Sequence, residues 1–283
     1  MTRKLGDKML TMFNAGTFRL DGGAMHGVVP KTIWSQQVSC DDRNRVAYAT
    51  NVLLVETGSH RLLVETGNGD KYSPKEREIY GFEAGRSLAT ALVERAVDPE
   101  SIDVVVLTHL HFDHAGGATY RTEDGRLVPL FPRARHVVQR RELEAALHPH
   151  ERNRASYLAD NVNPLLAANL FDIVEGEIEV LPGIRVVPTP GHTHGHQSVV
   201  IDGGGTEKAV FLGDVVPTSV HVRLPVIMAY DLEVEASLAS KKRILGQAIA
   251  EGWLVLWGHD KHHGGFVVLD ERGQPRVDRY VEI

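Results

Sequence analysis

The sequence predicts an α/β fold in which two β-sheets are flanked by helices. Apolar, strand-like runs alternate with helical patterns along the 283 residues, and four of these runs end abruptly in His or Asp. No low-complexity linker interrupts the alternation. We therefore expect residues 1–283 to form one domain in which the two strand-rich halves repeat a common arrangement.

The first half of the chain predicts a loop, a hairpin and a surface helix. Glycine-rich residues 22–30 are typical of an irregular loop. Two apolar runs at residues 51–56 and 61–65 flank a short turn, which predicts a pair of adjacent antiparallel strands. Apolar side chains recur at helical spacing over residues 84–97, and Pro99 ends this predicted helix.

The strand-like runs that end in His or Asp share one design. They are residues 104–107 before His109, residues 184–187 before His192, residues 209–212 before Asp214, and residues 253–257 before His259. In sheets covered by helices, ligands bind beyond the strand ends, because loops there expose functional groups that the strands hold in place. Helical patterns at residues 140–147 and 233–250 supply such covering helices.

Composition narrows the classes of partner. The chain has 31 Lys and Arg against 37 Asp and Glu, a formal net charge of −6, which argues against broad nucleic-acid binding. Cys40 is the only cysteine, so an intramolecular disulfide and a zinc cluster of the Cys-x-x-Cys type are excluded. The sequence shows no signal peptide and no stretch of roughly 18 apolar residues that could span a membrane. We expect a cytoplasmic protein that acts on small molecules.

One short loop carries an unusual density of metal-binding residue types. His109, His111, Asp113 and His114 follow a buried strand within six positions. Imidazole and carboxylate suit zinc, manganese or ferrous iron. Residues two apart on an extended loop share one side, so His109 and His111 can bind one ion. Asp113 and His114 can then bind a second ion at the roughly 3.5 to 4 Å spacing of two-metal sites.

Three later residues complete the predicted site. His192 supplies a further imidazole for the first ion, and His259 supplies one for the second. Asp214 is the best bridging group, because one carboxylate can present an oxygen to each ion. His194 and His196 lie close to His192 in the sequence, and spacing alone does not decide which of the three binds.

The run from His109 to His114, together with the three later residues, resembles the signature of the metallo-β-lactamase superfamily. The resemblance implies a four-layer αβ/βα sandwich. It also implies one metal on His109, His111 and His192, a second metal on Asp113, His114 and His259, and Asp214 as the bridge. Two divalent ions are therefore expected, zinc first, with iron, manganese and cobalt as alternatives.

Residues 20–31, 213–218 and 228–231 resemble two branches of that superfamily, the quorum-quenching N-acylhomoserine lactonases and the organophosphatases of the methyl parathion hydrolase type. Lactonases of the first branch include members with a tyrosine shortly after the bridging aspartate. This sequence has Pro217 and Thr218 there, so that role does not carry over. Tyr230 is the candidate in its place.

The resemblance implies a dinuclear metal-dependent hydrolase that opens lactone or ester bonds by attack of a metal-bridging hydroxide. Asp214 would hold the metal pair, and Asp113 would move a proton to the departing alkoxide. An organophosphate or aryl ester hydrolase is the alternative, and an iron-dependent oxygen or persulfide redox enzyme is the alternative from another class. The expected partners are a small ester, lactone or phosphotriester and a second copy of the chain in a homodimer.

Residues in and near these segments are candidates for substrate binding, although ordinary packing explains the apolar ones equally well. The candidates are Met25, Val28, Phe112, Met228, Tyr230 and His221.

Overall fold

The computed structural model describes all 283 residues, and nearly all of its strands belong to two seven-stranded sheets. The strands of the first half are β1 (Arg3–Leu5), β2 (Lys8–Asp21), β3 (Arg45–Glu56), β4 (Arg61–Val64), β5 (Val104–Val106), β6 (Thr119–Arg121), β7 (Leu127–Pro129), β8 (Arg135–Gln139) and β9 (Phe171–Val174). The strands of the second half are β10 (Ile178–Leu181), β11 (Ile184–Pro188), β12 (Gln197–Asp202), β13 (Lys208–Phe211), β14 (Leu254–Leu256), β15 (Gly264–Leu269) and β16 (Pro275–Val281).

Eight α-helices and four short 3₁₀ turns connect these strands. The helices are α1 (Gly22–His26), α2 (Lys31–Trp34), α3 (Pro74–Tyr80), α4 (Leu88–Val93), α5 (Phe112–Ala115), α6 (Arg140–Leu147), α7 (Ala159–Ala167) and α8 (Val234–Glu251). The 3₁₀ turns cover Pro99–Ser101, Gly116–Ala118, Gly213–Val215 and Ser219–Val222. None of the helices combines the length and the apolar character needed to cross a membrane.

Each half of the chain builds one of the large sheets. The first sheet has the order β1-β2-β3-β4-β5-β8-β9, and β6 pairs only with β7 in a small separate sheet. The second sheet runs from β10 to β16 in chain order. Strands β4, β5, β8 and β9 are parallel neighbours, as are β13 and β14. The loops that follow these parallel strands leave the sheets at their carboxyl ends, where functional groups can gather.

The two sheets face each other across a shared apolar core. Along β5, Val104 and Val106 point into this core, whereas Val105 packs among residues of the helices on the opposite face. In β14, Val255 likewise packs toward α8 while its two neighbours face the first sheet. Successive strand residues alternate between faces, so each strand joins two layers. The resulting order of helix, sheet, sheet and helix layers confirms the predicted four-layer architecture.

Two predicted elements differ from the structure. The helix predicted over residues 84–97 covers only Leu88–Val93. It begins at Ser87, whose hydroxyl accepts a hydrogen bond from the N–H of Thr90 while the Thr90 hydroxyl accepts one from the N–H of Ser87. Beyond the helix, Ala96 adopts a left-handed conformation with φ 53°, which a continuing helix does not allow.

The glycine-rich segment predicted as a loop contains α1. Asp21 starts this helix, because its carboxylate accepts a hydrogen bond from the N–H of Ala24 at 2.8 Å. Gly27 ends it with φ 57°. Local capping therefore overrides the low helix propensity of Gly22 and Gly23.

Candidate metal centre

The loop after β5 carries four of the residues predicted to bind metal. His109 and His111 lie on its extended part, and the centroids of their rings are 4.5 Å apart. The backbone then enters α5, so Asp113 and His114 lie on one helical turn that the predicted extended loop did not include. The carbonyl oxygen of His114 accepts a hydrogen bond from the N–H of Thr66 at 2.8 Å, which ties this turn to the chain that follows β4.

Three other loops bring polar residues from the second sheet. His192 follows β11, Asp214 lies in the 3₁₀ turn after β13, and His259 follows β14. Gly213 has φ 60°, and a Cβ atom at this position would lie 2.6 Å from Nε2 of His196. Glycine therefore allows the Asp214 turn to approach its neighbouring loop this closely.

His109, His111 and His192 form the first donor group. All three side chains are buried, and their ligand atoms lie within 4.8 Å of one another. Nε2 of His192 lies 3.1 Å from Nδ1 of His111. These nitrogens converge from both halves of the chain in a way that suits a single cation.

Asp113, His114 and His259 form the second donor group. Nε2 of His259 lies 3.0 Å from Nε2 of His114 and 3.4 Å from an Asp113 carboxylate oxygen. The same Asp113 oxygen lies 3.6 Å from Nε2 of His114. Two imidazoles and one carboxylate therefore converge at this second point.

Asp214 lies between the two groups. Its Oδ2 is 3.3 Å from Nε2 of His192 in the first group. Its Oδ1 is 3.2 Å from Nε2 of His259 and 3.4 Å from Nε2 of His114 in the second group. The two oxygens of one carboxylate thus face different donor groups, which is the geometry expected of a bridging ligand.

Electrostatics draw positive charge to this cluster. Burial opposes the charge of Asp214, but the surrounding histidines, His259 first, hold the pKa of its carboxyl well below the usual range. Burial also opposes the charge of His192 and His259, yet Asp214 raises the pKa of both above the ordinary value. For His109, burial and the nearby His114 lower the pKa well below the ordinary value, so its imidazole stays neutral and can act as a ligand.

Contacts behind the histidines select which ring nitrogen faces the cluster. Nδ1 of His192 lies 2.9 Å from Oδ1 of Asp231, and Nδ1 of His259 donates to the carbonyl oxygen of Ala49 at 2.8 Å. A proton held on Nδ1 leaves the Nε2 lone pair free. Such contacts orient a ligating imidazole and raise its basicity.

The two histidines next to His192 have different environments. His196 is buried, and its Nε2 accepts a hydrogen bond from the N–H of Asp214 at 2.9 Å. Burial lowers the pKa of His196 to about 3, so its imidazole is neutral. The side chain of His194 is half exposed and lies 3.5 Å from Glu233 on the surface. His196 therefore supports the backbone of the predicted bridge, whereas His194 is remote from the cluster.

Two buried acidic residues that contact the cluster were absent from the predicted set. Glu65 accepts a hydrogen bond from the N–H of Thr108 at 3.1 Å, and its other oxygen lies 3.3 Å from Nδ1 of His114. Asp231 contacts His192 as described above. Glu65 has φ 71°, an unfavourable conformation that such contacts must offset. Glu65 stands outside every motif of the sequence. Asp231 ends the segment 228–231 that carries the family resemblance, but its contact with His192 spans 39 residues, which the motif does not reveal.

A cavity of about 330 Å³ opens onto the cluster. It is lined by Leu20, Met25, Tyr80, His111, Phe112, Asp113, Arg152, Asn153, Ala155, Ser156, His192, Asp214, Met228, Ala229, Tyr230, Leu232 and His259. Apolar side chains thus surround a polar floor, as in many small-molecule sites. Four of the predicted wall residues, Met25, Phe112, Met228 and Tyr230, are among them.

The other two predicted wall residues lie elsewhere, which corrects the prediction. Val28 is 89% exposed on the surface. His221 is buried outside the cavity, where its Nε2 lies 2.8 Å from the carbonyl oxygen of Met25 and its Nδ1 lies 2.7 Å from the Thr218 hydroxyl. His221 therefore braces the backbone of Met25 and does not meet the cavity itself.

The chain belongs to the metallo-β-lactamase superfamily, whose family model matches residues 45–259. This range includes all seven residues of the two donor groups and the bridge. The match confirms the resemblance predicted from the sequence and the fold that it implied.

Several proteins similar to this chain are hydrolases. The chain is 32% identical over 240 residues to an N-acyl homoserine lactonase from a Bacillus species, covering 81% of this chain and 85% of that protein. The crystal structure of a probable metal-dependent hydrolase from Staphylococcus aureus has a TM-score of 0.90 at 31% identity, covering 99% of both chains. The structure of a quorum-quenching N-acyl homoserine lactone lactonase has a TM-score of 0.70 at 26% identity, covering 92% of this chain and 95% of that one. These similarities confirm the predicted enzyme class, a metal-dependent hydrolase.

Proposed function

We propose that the protein is a dinuclear metal-dependent hydrolase that opens lactone or ester bonds, with N-acylhomoserine lactones as the first substrate class. The observation that carries the proposal is the position of Asp214, whose two carboxylate oxygens face two separate groups of nitrogen and oxygen donors. The named lactonase relatives support the choice of substrate class.

The donor atoms fit a pair of divalent cations. Nε2 of His109 and Oδ1 of Asp214 are buried without a hydrogen-bond partner, and such orphaned groups are costly unless a ligand satisfies them. His109, His111 and His192 would hold one ion, Asp113, His114 and His259 the other, and Asp214 would bridge them. The mixture of imidazole and carboxylate favours zinc, with iron, manganese and cobalt as alternatives. When bound, such ions polarise a carbonyl oxygen and lower the pKa of a water molecule.

Residues of the chain supply the remaining functions. Asp113 lines the cavity and belongs to the same donor group as His259. Its carboxylate can therefore carry a proton toward the departing alkoxide. Asp231 and the Ala49 carbonyl keep His192 and His259 in one orientation. Preorganised groups of this kind avoid a reorganisation cost during the reaction.

The cavity wall supports a substrate with an apolar portion and a polar ring. Met25, Met228 and Phe112 present apolar surface above the donor groups. Tyr230 is 38% exposed and lines this wall, and we assign its hydroxyl to contact with a substrate carbonyl. Both large sheets are needed to build this site, which supports treating residues 1–283 as one domain.

The test is a hydrolysis panel with the purified protein after its metal content has been measured. Acylhomoserine lactones, aryl esters and phosphotriesters should be compared at equal concentrations, with and without a chelator. We expect about two metal ions per chain and the highest kcat/KM with lactones. Faster turnover of phosphotriesters or aryl esters would assign the alternative hydrolase function. Iron with oxygen consumption and no hydrolysis would contradict the proposal and assign the redox class.

A further inference from the structure

Glu142 is a buried carboxylate that touches both histidine loops. It is the third residue of α6 and has no solvent exposure. Its Oε1 accepts a hydrogen bond from the N–H of Leu110 at 2.9 Å and another from the Tyr157 hydroxyl at 2.9 Å. Its Oε2 accepts a hydrogen bond from the Thr193 hydroxyl at 2.5 Å. None of these three hydrogen bonds comes from the side chain of a candidate metal ligand.

The partners of Glu142 are the neighbours of the candidate ligands. Leu110 stands between His109 and His111, and Thr193 directly follows His192. One carboxylate therefore joins the loop of the first sheet to a loop of the second sheet. Leu110 and Thr193 are the immediate sequence neighbours of His111 and His192, whose facing ring nitrogens are 3.1 Å apart.

Tyr157 extends the same connection to the cavity. Its ring meets the ring of His111 edge-on, with centroids 4.8 Å apart. It directly follows Ser156, which lines the cavity together with Arg152. The Glu142 carboxylate thus connects the first donor group with the segment that forms one wall of the cavity.

The loop around His192 is packed tightly against the start of α6. A Cβ atom on Gly195 would lie 2.2 Å from the backbone nitrogen of Glu142. This close approach leaves no room for the loop to shift toward the helix. The hydrogen bond from Thr193 then limits movement away from it.

Structural packing alone does not account for a carboxylate at this position. Burying a charge is costly, and apolar residues of similar volume often stabilise a fold equally well or better. All three hydrogen bonds of Glu142 instead go to segments around one donor group. Buried polar groups with every bond satisfied are suited to fixing a unique geometry.

We propose that Glu142 is a positioning residue that holds His111 and His192 in register for metal binding. The inference rests on the proposed function, because a metal ion is the group that these imidazoles would bind. Loss of partners behind metal ligands typically lowers metal affinity 10- to 100-fold. Glu142 acts through neighbouring residues, so we expect about a 10-fold loss when its hydrogen bonds are removed.

Two variants separate the hydrogen bonds from the charge. Glu142→Leu removes all three bonds at similar volume. Glu142→Gln keeps one oxygen for Leu110 and Tyr157, and its amide can donate to the Thr193 hydroxyl. We expect about 10-fold weaker zinc binding for E142L and a change of less than about threefold for E142Q. Zinc affinity is measured by competition with a chromophoric chelator, and the visible spectrum of the cobalt-loaded protein reports the ligand geometry.

Gln139→Met is the matched control. Gln139 is buried at the end of β8, and its amide donates to Gln197 Oε1 at 2.9 Å, so it also joins the two halves of the chain. The Gln139 side chain makes no hydrogen bond to a candidate metal ligand, to Leu110 or to Thr193. We expect Q139M to lower the Tm and to leave zinc affinity and the cobalt spectrum unchanged.

The outcomes separate this inference from the proposed function. A wild-type protein that binds no metal would overturn both. The role of Glu142 alone would be overturned if the wild type binds two ions and the folded E142L variant binds zinc as tightly as the wild type. It would also be overturned if Q139M lowers zinc affinity as much as E142L does. If E142L does not fold, Thr193→Val and Tyr157→Phe each remove one bond. A loss of about threefold in zinc affinity for each would support the inference, and unchanged affinity in both would contradict it.

Discussion

The two halves of the chain contribute to the candidate metal centre in different ways. The first half supplies four donors within six residues, on one loop after β5. The second half supplies His192, Asp214 and His259 from three separate loops, after β11, β13 and β14. Each donor group nevertheless contains residues from both halves. The spacing of the first set is therefore determined by local backbone geometry, whereas the spacing of the second set depends on the strand order of the sheet.

The support behind the donors follows this difference only in part. In the first loop His109 has a partner next to it in sequence, Thr108, whose hydroxyl lies 3.0 Å from Nδ1 of His109, whereas His114 is contacted by the distant Glu65. The donors of the second half are held by distant partners. Asp231 contacts His192 from 39 residues away, and the carbonyl of Ala49 contacts His259 across 210 residues.

Replacement of Asp214 tests whether one residue joins the two donor groups. Asp214→Asn keeps the shape but removes the charge that faces both groups. We expect fewer than two ions per chain by elemental analysis and a fall in kcat of about 10³-fold, because the loss removes charge stabilisation at the reacting centre. Asp260→Asn is the control, since this buried carboxylate binds the N–H groups of Ser219 and His262. Full metal content and turnover in D214N would contradict the bridging role.

A buried histidine of the first sheet, outside the candidate metal centre, should make the stability of the fold depend on pH. His136 lies on β8 with no exposure, and burial lowers its pKa to about 4. Between pH 6.5 and 4 the unfolded chain binds a proton that the folded chain does not. The free energy of unfolding therefore falls as the pH drops through this range, by about 3 kcal/mol from this residue.

His136→Leu measures that contribution. Urea titrations at pH 7 and pH 4.5 should show a smaller difference for the variant than for the wild type. The N–H of this imidazole donates only to the Ala134 carbonyl at 3.1 Å, so the cost at pH 7 should stay near 1 kcal/mol. An unchanged pH dependence would assign the acid sensitivity to other groups.

Glu65 and Asp231 each contact one candidate ligand, His114 in the first half and His192 in the second, so their variants allow the two halves to be compared. Nδ1 of His192 lies 2.9 Å from Asp231, whereas Nδ1 of His114 lies 3.3 Å from Glu65. We expect Asp231→Asn to weaken zinc binding by about 10- to 100-fold and Glu65→Gln by less, because the shorter contact is the stronger one. Chelator competition measures both. A larger effect of E65Q would reverse the comparison.

Two tyrosines from opposite halves line the cavity and provide the smallest test. Tyr230 and Tyr80 both reach the wall, and the proposed function assigns substrate contact to Tyr230. We expect Tyr230→Phe to lower kcat/KM about threefold, the loss of one modest hydrogen bond, and Tyr80→Phe to change it less. Initial rates with a lactone substrate distinguish the two. Equal effects would remove the special role of Tyr230.

Much of the fold follows from the sequence because its strands are marked by local patterns. The apolar runs before His109, His192, Asp214 and His259 correspond to β5, β11, β13 and β14. Helix α6 was predicted at its observed bounds, and α8 within one residue at each end. The bounds of α4 were missed, because capping by Ser87 and the left-handed Ala96 decide them.

The surroundings of the site were harder to predict. Glu65, Glu142 and Asp231 are single acidic residues far apart in the sequence, and only the packing of the sheets brings them behind the histidines. Val28 follows the helix that carries Met25, but the chain turns outward at Gly27 and leaves it exposed. A pattern of residue types therefore predicts the candidate donors, whereas burial and long-range contacts are needed to find the residues behind them.

The division of donors between two sheets links metal loading to chain assembly. Neither half contains all donors of either group. The last of the donors, His259, follows β14, whose pairing with β13 is the one parallel pairing of the second sheet. A partly synthesised or partly folded chain would therefore offer an incomplete set of donors to either ion. Tight binding of an ion would therefore require that both sheets are folded and packed together. Because the ions would bind only the folded chain, they would stabilise it against unfolding.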